Sequence, residues 1–140
     1  MGQTINRALP TAILGNGSLL ATFSARGRVE RLCWPHPDRD QLLDRFRLGV
    51  AVDGVTHWLD EEPFACEQSY LTAAMVLRTN VRGRGLEVEI EDLVDPIEPA
   101  LIRRVRCFER SARLVVDFRG SERLAIAATD EEVVCAAGYS

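Results

Sequence analysis

Apolar and polar residues alternate along most of the 140-residue sequence, and short glycine-containing segments interrupt the alternation. Within residues 86–91, for example, three apolar residues alternate with three glutamates. This period of two is typical of a strand with one face in the core and the other in water. A slip by one residue would exchange the two faces, so the pattern also fixes the strand register. The alternation predicts an all-β fold.

Turn sequences join three pairs of the predicted strands into hairpins. Asp53-Gly54 is the strongest of these signals, since both residues tolerate the positive φ that a two-residue hairpin turn requires. The hairpins cover 18–34 with Gly27 in the turn, 48–59, and 75–90 with Arg82–Gly85 as the connection. Further strands are predicted at 101–109, 113–118, 124–128 and 133–136. About ten strands with short connections predict one antiparallel β-sandwich domain, residues 1–140.

One segment, residues 38–47, has helical spacing instead. Asp38 or Asp40 suits an N-cap, and Leu42, Leu43 and Phe46 recur at intervals of three and four. We therefore expect at most one short helix, near 38–47.

Charge and cysteine usage limit the partners. The formal net charge is −4 and all 17 cationic residues are arginines, which argues against general binding to nucleic acid or anionic lipid. No apolar run approaches the roughly 20 residues of a membrane span, and the N-terminus lacks a signal-peptide pattern. Cys33, Cys66, Cys107 and Cys135 are too scattered for a zinc site and are typical of small buried thiols in a reducing compartment. We expect a cytoplasmic protein without a cofactor.

Two clusters of polar residues are candidate sites of chemistry. The carboxylates Glu87, Glu89, Glu91, Asp92 and Asp95 are interpreted as a solvated strand face, because general acid–base work needs one carboxyl in a desolvating pocket.

His36, Asp38 and His57 lack the spacing of metal ligands, and no nucleophile motif is present. The sequence therefore predicts no metal site and no catalytic residue in this chain.

Aromatic residues are the remaining candidates: Phe23, Trp34, Trp58, Phe64 and Tyr70. Phe23 and Trp58 are predicted to lie in the core, where inward-facing aromatic residues usually pack. Trp34 differs, because the prolines that follow it in RLCWPHPD end the strand and turn the chain. Loops at such corners often carry function. Trp34, Pro35, His36 and Asp38 are accordingly the predicted substrate-facing or interface rim.

Several segments in this order resemble the N-terminal region of bacterial and archaeal family-15 glycoside hydrolases, a family that includes glucoamylases, glucodextranases and trehalase relatives. The resemblance runs from about Leu14 to about Phe118. Its segments are LGNGSLL at 14–20, the hairpin ARGRVERLCWPHPD at 25–38, YLTAAMVLRTNV at 70–81, LEVEIEDL at 86–93 and the arginine-rich LIRRVR at 101–106.

The resemblance implies a β-sandwich, part of a β-supersandwich, that packs on an (α/α)6 barrel. In that family the barrel carries both catalytic glutamates and hydrolyses α-glucosidic bonds with inversion, which requires a water between the two carboxyl groups. This sequence contains no such barrel, and the family's sandwich is longer than 140 residues. The resemblance thus implies a non-catalytic module that braces a barrel in cis or in trans. The chain is then the front portion of an enzyme, a gene remnant or a pared-down stand-alone relative.

Two alternatives stay open at this point. The chain is also compatible with a stand-alone interaction module that forms a homo-oligomer through an open strand edge, for which strand 101–108 is the predicted edge. The other is a weak carbohydrate-binding module with Trp34 or Trp58 as the stacking platform.

Overall fold

The computed structural model describes residues 12–35, 41–71, 75–109 and 111–138, and these form twelve strands and no helix. The strands are β1 (Ala12–Gly15), β2 (Leu20–Phe23), β3 (Val29–Cys33), β4 (Leu43–Val52), β5 (Val55–Trp58), β6 (Ala65–Tyr70), β7 (Val76–Gly83), β8 (Leu86–Val94), β9 (Ala100–Cys107), β10 (Arg113–Gly120), β11 (Leu124–Ala128) and β12 (Glu132–Ala137). All of the strand pairs are antiparallel. The predicted all-β class is confirmed.

The strands form two layers around one hydrophobic core. One layer is a six-stranded sheet in the order β11-β12-β9-β8-β7-β6, and the other consists of two three-stranded sheets, β1-β2-β3 and β10-β4-β5. Residues of all three sheets belong to a single cluster of buried apolar side chains, among them Phe23, Phe46, Ile90 and Val133. The arrangement is the sandwich that the alternation predicts.

The predicted hairpins are present, and their turns have the expected backbone. Asp53 and Gly54 adopt φ of 52° and 79°, and Arg84 and Gly85 adopt 51° and 75°. Two consecutive residues with positive φ define the type I′ turn, whose twist matches that of the flanking strands. In the 75–90 hairpin the turn is therefore only two residues long, and β7 continues to Gly83.

The short helix that was allowed near 38–47 does not form at residues 43–47, which belong to β4; residues 38–40 lie outside the described part of the chain. Asp44 is a bulge, because Leu43 pairs with Gly120 and Arg45 with Arg119, so that Asp44 has no partner in β10. The extra residue brings Leu43 and Phe46, three positions apart, onto the same buried face. The bulge therefore gives a β-strand the three-residue spacing of apolar residues that is typical of a helix.

Strands β1 and β6 are additions to the predicted set. β6 contributes Cys66, Gln68 and Tyr70 to its inward face, which is too polar to read as a core strand. Gln68 is satisfied by donating from Nε2 to the Ser24 carbonyl at 2.7 Å. Because polar contacts hold β6 in place, its sequence lacks the alternation of apolar and polar residues from which strands were predicted.

Candidate functional site

The predicted rim is only partly visible in the structure. Trp34 directly follows β3 and is buried, with 8% of its surface exposed, while Pro35 is half-buried. The guanidinium carbon of Arg123 lies 5.4 Å from the centre of the Trp34 ring. His36 and Asp38 lie outside the described residues. The structure therefore places Trp34 inside the corner, against Arg123, and not on its surface.

The other aromatic residues range from buried to half exposed. Phe23 and Phe64 are buried as core residues, which confirms the prediction for Phe23. Trp58 is half-buried, with the Arg47 guanidinium carbon 4.5 Å from its ring centre. Tyr70 is half exposed, and its hydroxyl donates to the Ile13 carbonyl and accepts from the Ile13 N–H. Trp34 is thus buried, and the Arg47 guanidinium lies over the half-buried Trp58 ring.

Of the predicted carboxylate row, Glu87, Glu89 and Glu91 face outward from β8, as expected, but Asp92 is fully buried. Residue 92 shares its parity with Val88 and Ile90, so strand geometry directs it into the core. Asp95 lies just beyond β8, where its carboxylate accepts from the N–H groups of Ile97 and Glu98. These two donors lower the pKa of Asp95.

The partner of Asp92 is Arg103 of β9, which is likewise buried. Arg103 Nε lies 2.6 Å from Asp92 Oδ1, and Nη2 donates to Oδ2 at 3.3 Å and to the Gly27 carbonyl. Its guanidinium carbon is 5.2 Å from the Phe46 ring centre and 5.8 Å from that of Phe23. Burial raises the pKa of the Asp92 carboxyl, and Arg103 opposes this rise. The pair connects the six-stranded sheet to both sheets of the opposite layer.

The outer face of the six-stranded sheet is charged over one half. Arg78 contacts Glu91 at 2.6 Å and Glu89 at 3.6 Å, and Arg104 of β9 contacts Glu132 of β12 at 3.4 Å. Exposed pairs of this kind add little stability. They indicate that this half of the face is exposed to solvent.

The other half of the same face carries a row of apolar side chains that crosses five strands. Each member is the register partner of the next, and each is at least partly exposed. We call Val76, Leu93, Ile102, Val134 and Ala127 the apolar row.

Exposed apolar residues also lie at the strand ends beside the row. Met75, immediately before β7, is 66% exposed, and Ile97, in the connection between β8 and β9, is 83% exposed. Scattered apolar residues are normal on a protein surface, but a contiguous set on a sheet face typically marks an interaction site. The apolar row is therefore the candidate functional site of the described residues, and sequence reasoning missed it because the register between strands was unknown.

A cleft opens at one end of the sandwich, between β10 and the β11–β12 turn. It has a volume of about 480 Å³ and is lined by Ala112, Arg113, Leu114, Thr129 and Asp130. A neighbouring cavity of about 200 Å³ reaches Val50, Val105 and Cys107. No cluster of buried polar groups points into this space among the described residues, so we assign no ligand to it.

The cysteines are all free thiols. Cys33 and Cys135 are buried, as predicted, whereas Cys66 and Cys107 are half-buried. Burial raises the pKa of Cys135 to about 12 and also raises that of Cys66, which disfavours the reactive thiolate.

Within the described ranges, no three His, Cys, Asp or Glu side chains are grouped to hold a metal ion. His57 instead contacts Phe64 edge to face, with ring centres 6.5 Å apart. The same ranges contain no helix that is long and apolar enough to cross a membrane.

Comparison with known proteins adds no relative: no family model, no curated protein and no solved structure matches this chain.

Proposed function

We propose that this chain is a non-catalytic β-sandwich module of a glycoside hydrolase of the family-15 type, which acts on α-glucosidic carbohydrates. Its partner is an (α/α)6 catalytic barrel, in cis or in trans, and its role is to brace that barrel. The proposal rests on the sequence resemblance for the enzyme class and on the apolar row for the mode of action.

The apolar row supports docking because of its position. It lies on the outer face of the sandwich, away from the core, beside a charged half of the same face. A patch with an apolar centre and a charged border is the usual anatomy of a protein–protein interface. Burying Leu93 and Ile102 against helices of a barrel would remove their apolar surface from water, at about 25 cal/mol for each Å².

The four free thiols support a reducing compartment, since disulfides form in oxidising ones. We accordingly propose the cytoplasm as the location.

The test begins with the coding sequence downstream of this chain, which should encode a helical barrel in the same or the next reading frame. The purified chain and that barrel should co-elute in size-exclusion chromatography with light scattering. Ile102→Arg, which puts a charge in the middle of the apolar row, should abolish co-elution. The matched control is Asn80→Arg, on the polar half of the same face, which should leave co-elution unchanged.

Three results would contradict the proposal. One is the absence of a barrel from the gene neighbourhood, and another is a folded Ile102→Arg variant that binds as well as the Asn80→Arg control. The third is hydrolysis of maltooligosaccharides by this chain alone. Circular dichroism melts of both variants establish that each is folded.

A further inference from the structure

Strand β11 forms one end of the six-stranded sheet and carries no charged residue. Its sequence is Leu-Ala-Ile-Ala-Ala, and within the described residues it pairs with β12 alone. Ile126 points toward the core side, opposite the buried Cys135, yet it is 37% exposed. An uncharged strand edge with free N–H and C=O groups is a template for pairing with another strand.

Three of the other edge strands, β1, β6 and β10, carry features that oppose such pairing. At β1, the Tyr70 hydroxyl occupies both the N–H and the C=O of Ile13. Strand β6, at the opposite end of the six-stranded sheet, presents Glu67, and β10 presents three charged side chains and a register shift near Gly120. Charges and bulges are the devices that keep edge strands apart. β11 has neither.

The predicted edge, strand 101–108, does not fit this role. β9 lies inside the sheet, between β8 and β12, so its backbone is paired on both sides. Within the described residues, the sheet ends on that side at β11, two strands away from β9.

We propose that two copies of this chain pair through β11, antiparallel about a two-fold axis at Ala127, to form one continuous twelve-stranded sheet. Strand β11 suits a second copy because an uncharged strand meets no like charge when it faces itself. This interface uses the backbone edge of β11, whereas the proposed docking to a barrel uses the outer face of the sheet; Ala127 belongs to both.

The register with Ala127 on the axis uses the backbone groups of β11 that face away from β12. The Thr129 N–H donates to the Glu132 carbonyl, so the odd-numbered residues of this strand bond to β12. The N–H and C=O groups of Ile126 and Ala128 therefore face the edge, and in this register Ile126 of each copy pairs with Ala128 of the other.

Continuity of the apolar surface favours the same register. Ala127 is the last member of the apolar row, so the two rows become collinear across the axis. On the core side, Ile126 comes opposite Ala128 of the second copy, which covers part of its exposed surface. Closed two-fold pairing of this kind gives a dimer and not a fibre.

The experiment is sedimentation velocity on the purified full chain over a range of concentrations. The wild-type chain should approach twice the 15.6 kDa mass of one copy. Ala127→Lys should be monomeric at concentrations where the wild type is dimeric, because two ammonium groups would then face each other across the axis. The matched control is Ala65→Lys, which adds the same charge to the outward face of β6 and should leave the dimer intact.

Charge reversal separates pairing from misfolding. Ala127→Glu alone should also be monomeric, and an equimolar mixture of the Lys and Glu variants should recover a dimer that contains one of each. A wild-type chain that stays monomeric would overturn the proposal and leave the edge to a strand of another protein. So would a folded Ala127→Lys variant that dimerises like the Ala65→Lys control, or a mixture that remains monomeric.

Discussion

Asp92 and Arg103 form a buried ion pair that links the two layers. Both are buried, and Arg103 reaches across to the Gly27 carbonyl while it lies between the rings of Phe23 and Phe46. A buried ion pair is often no more stable than an apolar pair of the same size, but an unpaired buried charge is costly. The intact pair therefore adds little net stability, but the loss of either partner leaves the other charge unpaired in the core.

Replacing Asp92 with Asn should destabilise the protein by about 3–5 kcal/mol, because it leaves the Arg103 guanidinium without a counter-charge in the core. Urea denaturation followed by circular dichroism measures this free energy. The control, Glu89→Gln, removes an outer-face carboxylate 3.6 Å from Arg78 and should cost less than about 1 kcal/mol.

The double variant Asp92→Leu/Arg103→Met tests the cause of that loss. It removes both charges and should be more stable than Asp92→Asn, although the Gly27 carbonyl loses a donor. If the double variant were as unstable as Asp92→Asn, the lost contacts and not the uncompensated charge would explain the effect.

The burial of both Asp92 and Arg103 could be predicted from the sequence. Residue 92 continues the even-numbered inward positions of β8, and residue 103 lies in phase with the buried Leu101 and Val105. The composition of 87–95 suggested a solvated face, but parity along the strand decides the orientation. That the two residues meet depends on the pairing of β8 with β9, which a single sequence does not fix.

At the scale of elements, turn chemistry was the most predictable part of the structure. Asp53-Gly54 forms the two-residue turn that its sequence predicts, because few other residues accept two successive positive φ values. Strand β4 was misread over residues 43–47, because a bulge at Asp44 shifts the alternation by one residue. Such an irregularity depends on the partner strand, and local sequence does not reveal it.

Gly49 shows how closely β4 and β5 approach. A methyl group at this position would lie 2.9 Å from Cε3 of Trp58 and 3.0 Å from the His57 carbonyl oxygen. Gly49→Ala should therefore destabilise the protein by about 1–3 kcal/mol through overpacking. Thermal denaturation, with Trp58 fluorescence as a second signal, measures the change.

Gly138→Ala is the control for this prediction, since a methyl group there meets no atom within 4 Å. It should leave the melting temperature nearly unchanged. Equal melting temperatures for the two variants would mean that Trp58 moves aside freely and that the β4–β5 contact contributes little.

At the scale of the whole molecule, the strands differ in how deeply they are buried and in how many neighbours they pair with. β8 and β9 are each paired on both sides, and Val88 and Ile90 of β8 are completely buried. Among the described residues, β10 pairs only with β4, contains no fully buried residue and borders the 480 Å³ cleft. The sequence did not predict this difference between β8 and β10. Alternation identifies the inward face of a strand, but it does not show which strands lie at the centre of a sheet and which lie at its edge.

Hydrogen exchange should report this asymmetry as different local stabilities. Regions with few buried apolar contacts open at a lower free energy than core strands. The amides of β8 that pair with β9 should accordingly be the most protected, and those of β10 should exchange at least about tenfold faster under native conditions. Amide exchange followed by NMR resolves individual residues, such as Glu89 of β8, whose N–H faces β9, and Val115 of β10, whose N–H faces β4. Equal protection of β8 and β10 would show that the cleft closes in solution and that the sandwich opens only as one unit.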